Sequence, residues 1–157
     1  MEIRIIDFEI LTKHYLNYSL GRDKVNDLRS SFIDRVKPLK DEIELILSTE
    51  SSGLSFDESS QKVRYDNFQK LQQDVMDLDY EFKSEMSKMK DNLSKVTFSE
   101  LSEIITEWCN KNSIDLVTGK MEVVFVSDKF DATNNILEIL KEKNLYIENI
   151  EEEKESV

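Results

Sequence analysis

Two hydrophobic seams separated by a polar stretch dominate the pattern of this sequence. The first seam has steps of 3, 4, 4, 3, 4 and 3 residues and consists of Val25, Leu28, Phe32, Val36, Leu39, Ile43 and Ile46. The second has steps of 3, 4, 3, 4, 4, 3, 4 and 3 and consists of Phe68, Leu71, Val75, Leu78, Phe82, Met86, Met89, Leu93 and Val96. Such spacing is typical of helices that pair along one face, and each pair of successive four-residue steps is a stutter of the 11-residue kind.

The stretch between the seams, residues 48–60, is rich in serine and contains Gly53, so it predicts a loop. Two seams around one loop predict an antiparallel helical hairpin, with residue 32 opposite about residues 74–76 and the two stutters at similar depth. An arm of this length measures roughly 40 Å, so we expect it to project from a body. The alternative is an ordinary bundle in which the helices fold back. Pro38 predicts a kink or a brief break.

The flanking residues predict a small sheet with short helices. Before the arm, the sequence predicts a strand at Glu2–Asp7 and a helix at Phe8–Tyr18. The second long helix is predicted to extend through Trp108, with a break near Val96–Thr97. After it we expect strands at Ile114–Val117 and Val123–Val126 and a last helix capped by Asp131–Thr133. One three-stranded sheet with so little cover is marginal alone, and further copies of the chain would cover it economically.

The predicted fold class is therefore α+β and mostly helical, with a long antiparallel coiled-coil hairpin arm projecting from a small β-sheet body. Residues 1–20 and 97–143 form the predicted α+β oligomerisation body. Residues 21–96 form the arm, with its tip loop at 48–60, and residues 144–157 form an acidic tail that we expect to be frayed and solvated.

The charge of the chain argues against several classes of partner. The net charge is −12, with 34% charged residues and no basic patch, so we expect neither nucleic acid nor direct membrane binding. The sequence contains no run of 18 apolar residues. The first residues lack a basic start followed by an apolar stretch, so the chain is expected to be cytoplasmic as written, or periplasmic if a signal was removed. A single cysteine does not settle the compartment.

The residues needed for catalysis are scarce. His14 is the only histidine, so neither a histidine-based metal site nor a serine–histidine relay has enough members. Cys109 is expected to be a packing residue and His14 a surface residue. Gly21, Gly53 and Gly119 are too far apart for a phosphate-binding loop. We therefore expect a protein that is not an enzyme and has no cofactor.

The order of these pieces resembles the Skp/OmpH family of trimeric periplasmic chaperones over roughly residues 2–143. The resemblance is carried by the Ile3–Asp7 strand followed by Ile10–Leu11, by the charged hairpin, and by three consecutive pieces near the end: Asn112–Val117, Val123–Val126 and Asp131–Thr133 leading into Ile136–Leu140. Family members show a strand of the D-L-V type, a second apolar strand and a D-x-T helix start in that order.

The resemblance implies a homotrimer whose sheets join into a body, with three arms around a cavity that holds unfolded or unassembled polypeptides without ATP. Family members hold outer-membrane proteins. The best-known members are basic, whereas this chain is acidic. The alternative function is that of a structural or assembly coiled-coil protein, for example phage-encoded, that grips one fixed partner.

Two sets of apolar residues are the candidate sites. Client contact is expected at Leu54 and Phe56 in the tip loop, where capping of the hairpin end is an equal alternative, and at Met86 and Met89, where core packing is the favoured alternative. The oligomer body is expected to involve Ile3, Ile5, Val124 and Val126.

Overall fold

The computed structural model describes residues 1–53 and 56–148 and has four α-helices and two β-strands within them. In chain order these are β1 (Ile3–Ile6), α1 (Phe8–His14), α2 (Leu16–Ser51), α3 (Glu58–Asn112), β2 (Leu116–Gly119) and α4 (Thr133–Glu142). The predicted mostly helical α+β class is confirmed. The chain divides into a helix-pair unit, residues 24–90, and a body unit formed by residues 1–23 and those from 91 onward.

In the helix-pair unit, the two predicted seams face each other in antiparallel fashion. The rings of Phe32 and Phe82 stack with centroids 4.2 Å apart, and Arg35 lies 3.9 Å from Glu81. Phe32 and Phe82 are the centres of the two stutters, so the prediction that the stutters lie at similar depth is confirmed. The predicted partner of residue 32, about residues 74–76, was wrong: Phe82 lies opposite it, so the pairing is centred near residue 57 rather than near Gly53.

Burial along the helix-pair unit follows the predicted seams. Val25, Val36, Ile46 and Leu71 are buried, and the remaining seam residues of this unit are half-buried. Pro38 lies inside α2, which continues through it, so the predicted break is absent. Asp34, whose carbonyl loses its usual helical donor to this proline, is exposed. Water can therefore satisfy the carbonyl, which lowers the cost of a proline at this position.

The predicted break near Val96–Thr97 is also absent, because α3 is continuous from Glu58 to Asn112. The buried face instead shifts by one residue. Val96 is 44% exposed, whereas Thr97 and Leu101 are buried. Thr97 begins a new buried run at steps of four, Thr97–Leu101–Ile105, and its last two residues belong to the core of the body unit.

The sheet of the body unit has two parallel strands, with Ile3 opposite Leu116 and Ile6 opposite Gly119. The prediction of a third strand at Val123–Val126 was wrong: in this segment the structure has no strand, and short 3₁₀ turns flank it at Lys120–Glu122 and Asp128–Phe130. The free edge of β1 is taken by Asp131, which bridges Ile5, and by the N–H of Ala132, which donates to the Ile5 carbonyl at 2.8 Å. Val123–Val126 thus has no strand partner among the described residues of the chain.

Two capping residues join the end of β1 to the start of α4. Asp7 accepts a hydrogen bond from the Ile10 N–H, while its own N–H donates to Thr133 Oγ1 at 2.8 Å. The N-cap of α4 is Ala132, which lies within the predicted capping segment but forms no side-chain cap hydrogen bond. The residue before it, Asp131, instead accepts a hydrogen bond through Oδ1 from the Thr133 N–H at 2.9 Å. Burial alone would raise the pKa of Asp131, but the hydrogen bonds from Thr133 and the proximity of Lys120 lower it overall. The core beside this joint consists of Ile6, Leu11, Tyr15, Leu101, Ile104, Ile105, Ala132, Ile136 and Leu140.

The junction between α1 and α2 is covered by the residues that follow α4. The predicted helix at Phe8–Tyr18 is interrupted at Tyr15, whose backbone is extended and bridges Tyr146. The Leu16 N–H donates to the Leu145 carbonyl at 2.8 Å, and the Ile147 N–H to the His14 carbonyl at 2.9 Å. The beginning of the predicted tail is therefore packed rather than frayed. Its remainder, residues 149–157, lies outside the described residues.

Candidate functional site

His14 and Cys109 both take part in the packing of the body unit. His14 Nδ1 lies 2.9 Å from the Ile147 carbonyl oxygen, and its ring stacks on Tyr146. His14 is therefore half-buried against the end of the chain, whereas the sequence predicted a surface residue. Burial raises the pKa of the Cys109 thiol, which disfavours the nucleophilic thiolate. Among residues 1–53 and 56–148, no group of three or more histidine, cysteine or acidic residues could hold a metal ion.

Among the described residues, Tyr15 has the most strongly shifted pKa, and the residue is 1% exposed. Its hydroxyl donates to Glu100 Oε2 at 2.6 Å. Asn17 Nδ2 donates to the Tyr15 hydroxyl oxygen at 3.0 Å and to Glu100 Oε2 at 3.2 Å. Burial and the Glu100 carboxylate raise the pKa of Tyr15 to about 12. The hydrogen bonds of this neutral phenol connect the α1–α2 junction to α3, so the role of Tyr15 is structural.

The tip of the helix-pair unit carries one of the predicted client contacts. Phe56 is half-buried, and the Arg64 guanidinium carbon lies 4.3 Å from the centre of its ring. Because Arg64 covers one face of the ring, only part of Phe56 is available to a second molecule. Leu54 lies outside the described residues. Client contact at this tip stays a prediction, and so does the alternative of capping.

The two predicted seam methionines lie where their spacing places them. Met86 and Met89 are half-buried on the same face of α3 as Phe82. This position suits packing against α2, while the exposed part of each side chain can still contact another molecule. Client contact at Met86 and Met89 stays a prediction.

The four predicted oligomer residues are not equally accessible. Ile5 is buried, Ile3 and Val126 are half-buried, and Val124 is fully exposed. The accessible apolar surface near Val124 includes Phe125, which is 83% exposed, and Met121, which is 92% exposed. The apolar run Val123–Val126 was the signal for this surface, although the sequence predicted it as a strand. Oligomerisation through these residues stays a prediction.

A second set of exposed apolar residues lies on α3, away from the seam. Tyr65, Met76 and Tyr80 are 57%, 65% and 76% exposed. They are separated by 11 and 4 residues, so they lie on one face of α3, and this face also carries the exposed Gln69. This face, which we call the tyrosine–methionine stripe, is not part of either predicted seam. Its only sequence signal is the recurrence of large residues outside the seam at helical spacing.

Comparison with protein families supports the fold assignment. The family model described as outer membrane protein (OmpH-like) matches residues 3–140. The chain belongs to the OmpH-like family. The match includes both strands of this OmpH-like chain, both helices of its helix pair and most of α4. No curated protein matches the chain.

The OmpH-like match includes the features that carried the resemblance at the sequence level. The D-L-V piece leads into β2, and the D-x-T piece ends at Thr133, the first residue of α4. None of the helices within the described residues of this OmpH-like chain is both long enough and apolar enough to cross a membrane.

Proposed function

We propose that this OmpH-like chain is a holdase-type chaperone, which binds unfolded or unassembled polypeptides without ATP in a cavity between the arms of a trimer. Membership of the OmpH-like family over residues 3–140 carries this proposal. The paired helices support it, because they are long and their seams are engaged with each other. Their outer faces are left for weak contacts, and many weak contacts summed over several arms can hold a client without a nucleotide cycle.

The charge of the chain predicts which clients are held best. The net charge of the chain is −12, of which residues 21–96 carry −3 (13 basic and 16 acidic residues) and the remaining residues −9, so an assembled trimer as a whole would repel acidic segments and attract basic ones. Charges exposed to solvent are screened within about 8 Å at physiological salt. We therefore expect a preference for basic clients that is strongest at low ionic strength.

An aggregation assay tests this function directly. Two chemically unfolded clients of opposite net charge are diluted into buffer with the full-length protein, without ATP, at low and at high salt, and light scattering is followed. We expect protection of the basic client, with an effect that weakens as salt is added. Bovine serum albumin at equal mass serves as the inert control.

The assay also distinguishes the alternative function. If neither client is protected at any salt concentration, the holdase proposal is wrong, and a coiled-coil protein that grips one fixed partner becomes the better description. Equal protection of both clients at low salt would retain the holdase but refute the charge preference.

A further inference from the structure

We propose that the tyrosine–methionine stripe of α3 binds extended client segments that combine basic and apolar residues, an inference that rests on the proposed holdase function. The stripe is the face formed by Tyr65, Gln69, Met76 and Tyr80. All four side chains are exposed, and the seam faces a different side of the helix. The stripe is therefore not used in pairing α3 with α2 within the helix-pair unit.

The composition of the stripe suits varied polypeptides. A tyrosine ring offers apolar area and a cation-binding face, methionine adapts to irregular partners, and glutamine can pair with an extended backbone. Gln69 Nε2 donates to the Tyr65 hydroxyl at 2.8 Å, which holds the first ring along the helix surface. From Tyr65 to Tyr80 the stripe measures about 22 Å, enough for about seven residues of extended chain.

Two carboxylates give the stripe its charge preference. Asp66 and Asp77 each follow a stripe residue and are 11 residues apart, so they lie along the same edge of the stripe, with the exposed Lys70 between them. Both are exposed, and neither forms an ion pair with another described residue. Asp77 accepts an amide hydrogen bond from Gln73 at 2.7 Å, which leaves its negative charge uncompensated. Arginine or lysine side chains of a client could lie over the tyrosine rings with their charges next to this edge.

Peptide binding by the full-length protein tests the inference. Three fluorescent nine-residue peptides are used: arginine alternating with leucine, glutamate alternating with leucine, and arginine alternating with serine. We expect the arginine–leucine peptide to bind most tightly in fluorescence anisotropy, since the other two lack either the charge or the apolar contact. The triple variant Tyr65→Gln, Met76→Gln, Tyr80→Gln should weaken its binding about tenfold.

The edge carboxylates are tested separately from the stripe. The double variant Asp66→Asn, Asp77→Asn should weaken binding of the arginine–leucine peptide severalfold at low salt and have little effect at high salt. The glutamate–leucine peptide should bind this variant more tightly than it binds the wild-type protein.

A matched control is available in the same unit. Val63 is 68% exposed and lies two residues before Tyr65, hence about 200° around the helix from it, and Leu45 on α2 is 66% exposed. The variant Val63→Gln, Leu45→Gln removes exposed apolar surface outside the stripe and should leave peptide binding unchanged. All replacements are glutamine, a good helix former, and circular dichroism checks that the helices persist.

The inference is wrong if the control variant weakens peptide binding as much as the triple variant does, or if the triple variant binds the peptide as tightly as the wild-type protein. It is also wrong if the triple variant has a changed mass in light scattering, because the stripe would then be an interface between copies. The aggregation assay separates this inference from the proposed function. If the triple variant still protects clients and binds the peptide as the wild-type protein does, only the proposal of binding at the stripe is refuted. Peptide binding through the stripe without protection of either client would refute only the holdase.

Discussion

At the scale of single residues, Tyr15 is the side chain with the clearest energetic role. It interrupts the first helix, its backbone bridges Tyr146, and its hydroxyl donates to Glu100 within the body unit. Its pKa is raised to about 12 from the ordinary value of 10.0, chiefly by burial and then by the Glu100 carboxylate. The folded state therefore favours the neutral phenol.

The raised pKa of Tyr15 predicts a specific loss of stability in base. Its stabilising contribution is complete below pH 10, where the phenol is neutral in both states, and is lost as pH rises towards 12. Between pH 9 and pH 11 the free energy of unfolding should fall by about 1 kcal/mol more in the wild-type protein than in Tyr15→Phe. Urea unfolding at a series of pH values and at fixed protein concentration measures how the free energy of unfolding changes with pH in each protein. Ionisation of the other residues is common to both proteins. Parallel slopes would contradict the prediction.

At the scale of elements, the stuttered seams explain how α2 and α3 keep their register. An 11-residue unit completes three turns, so a four-residue step repeated once returns the apolar face to the partner helix. The stutters coincide at Phe32 and Phe82, where two large rings stack. A large pair at one depth disfavours slippage, because a shifted register would place each ring against a smaller residue.

Removal of matched 11-residue segments should shorten the helix pair and leave the body folded. Deleting residues 36–46 from α2 and 68–78 from α3 preserves the orientation of what remains, because each deletion removes three complete turns. Circular dichroism should show cooperative unfolding, and light scattering should show the same number of chains per particle as in the wild-type protein. Deleting 36–46 alone is the control, and it should destabilise the pair. A matched deletion that abolishes assembly would mean that the arm belongs to the body core.

At the scale of the whole molecule, the body unit exposes apolar surface that a second copy could cover. Met121, Val124 and Phe125 are almost fully accessible, and Phe98 is 61% exposed even though it stacks on Phe8. The segment Val123–Val126 has strand-forming composition but pairs with no strand in the part of the chain that the structure describes. Exposed apolar patches of this kind mark interaction sites.

We therefore expect the protein to be a trimer in solution, as the resemblance implies. Size exclusion coupled to light scattering at micromolar concentration should give a mass near three chains. The variant Val124→Asp, Phe125→Asp should dissociate the assembly, because it would bury two carboxylates without partners. Val63→Asp changes an exposed apolar residue of the helix-pair unit and should leave the mass unchanged. A wild-type protein that is monomeric would exclude both the trimer and its cavity.

Much of the fold could be predicted from the sequence, because helix pairing obeys local periodicity. The seam of the helix-pair unit and the positions of its stutters were correct. The candidate binding surfaces were harder to predict. Tyr65, Met76 and Tyr80 are recognised only once their exposure is known, because large residues outside a seam could equally pack against another element.

The sequence by itself determined the elements whose signal is periodic: two long paired helices, the first strand and the amphipathic last helix. Only the tertiary structure decided which segments pair with the edge of β1 and which segments cover the junction between α1 and α2. Asp131 occupies the edge of β1 that a third strand would need, and residues 145–147 cover the junction at Tyr15. These contacts join residues more than a hundred positions apart. Their formation depends on which groups remain unpaired in space, and periodicity along the chain carries no information about that.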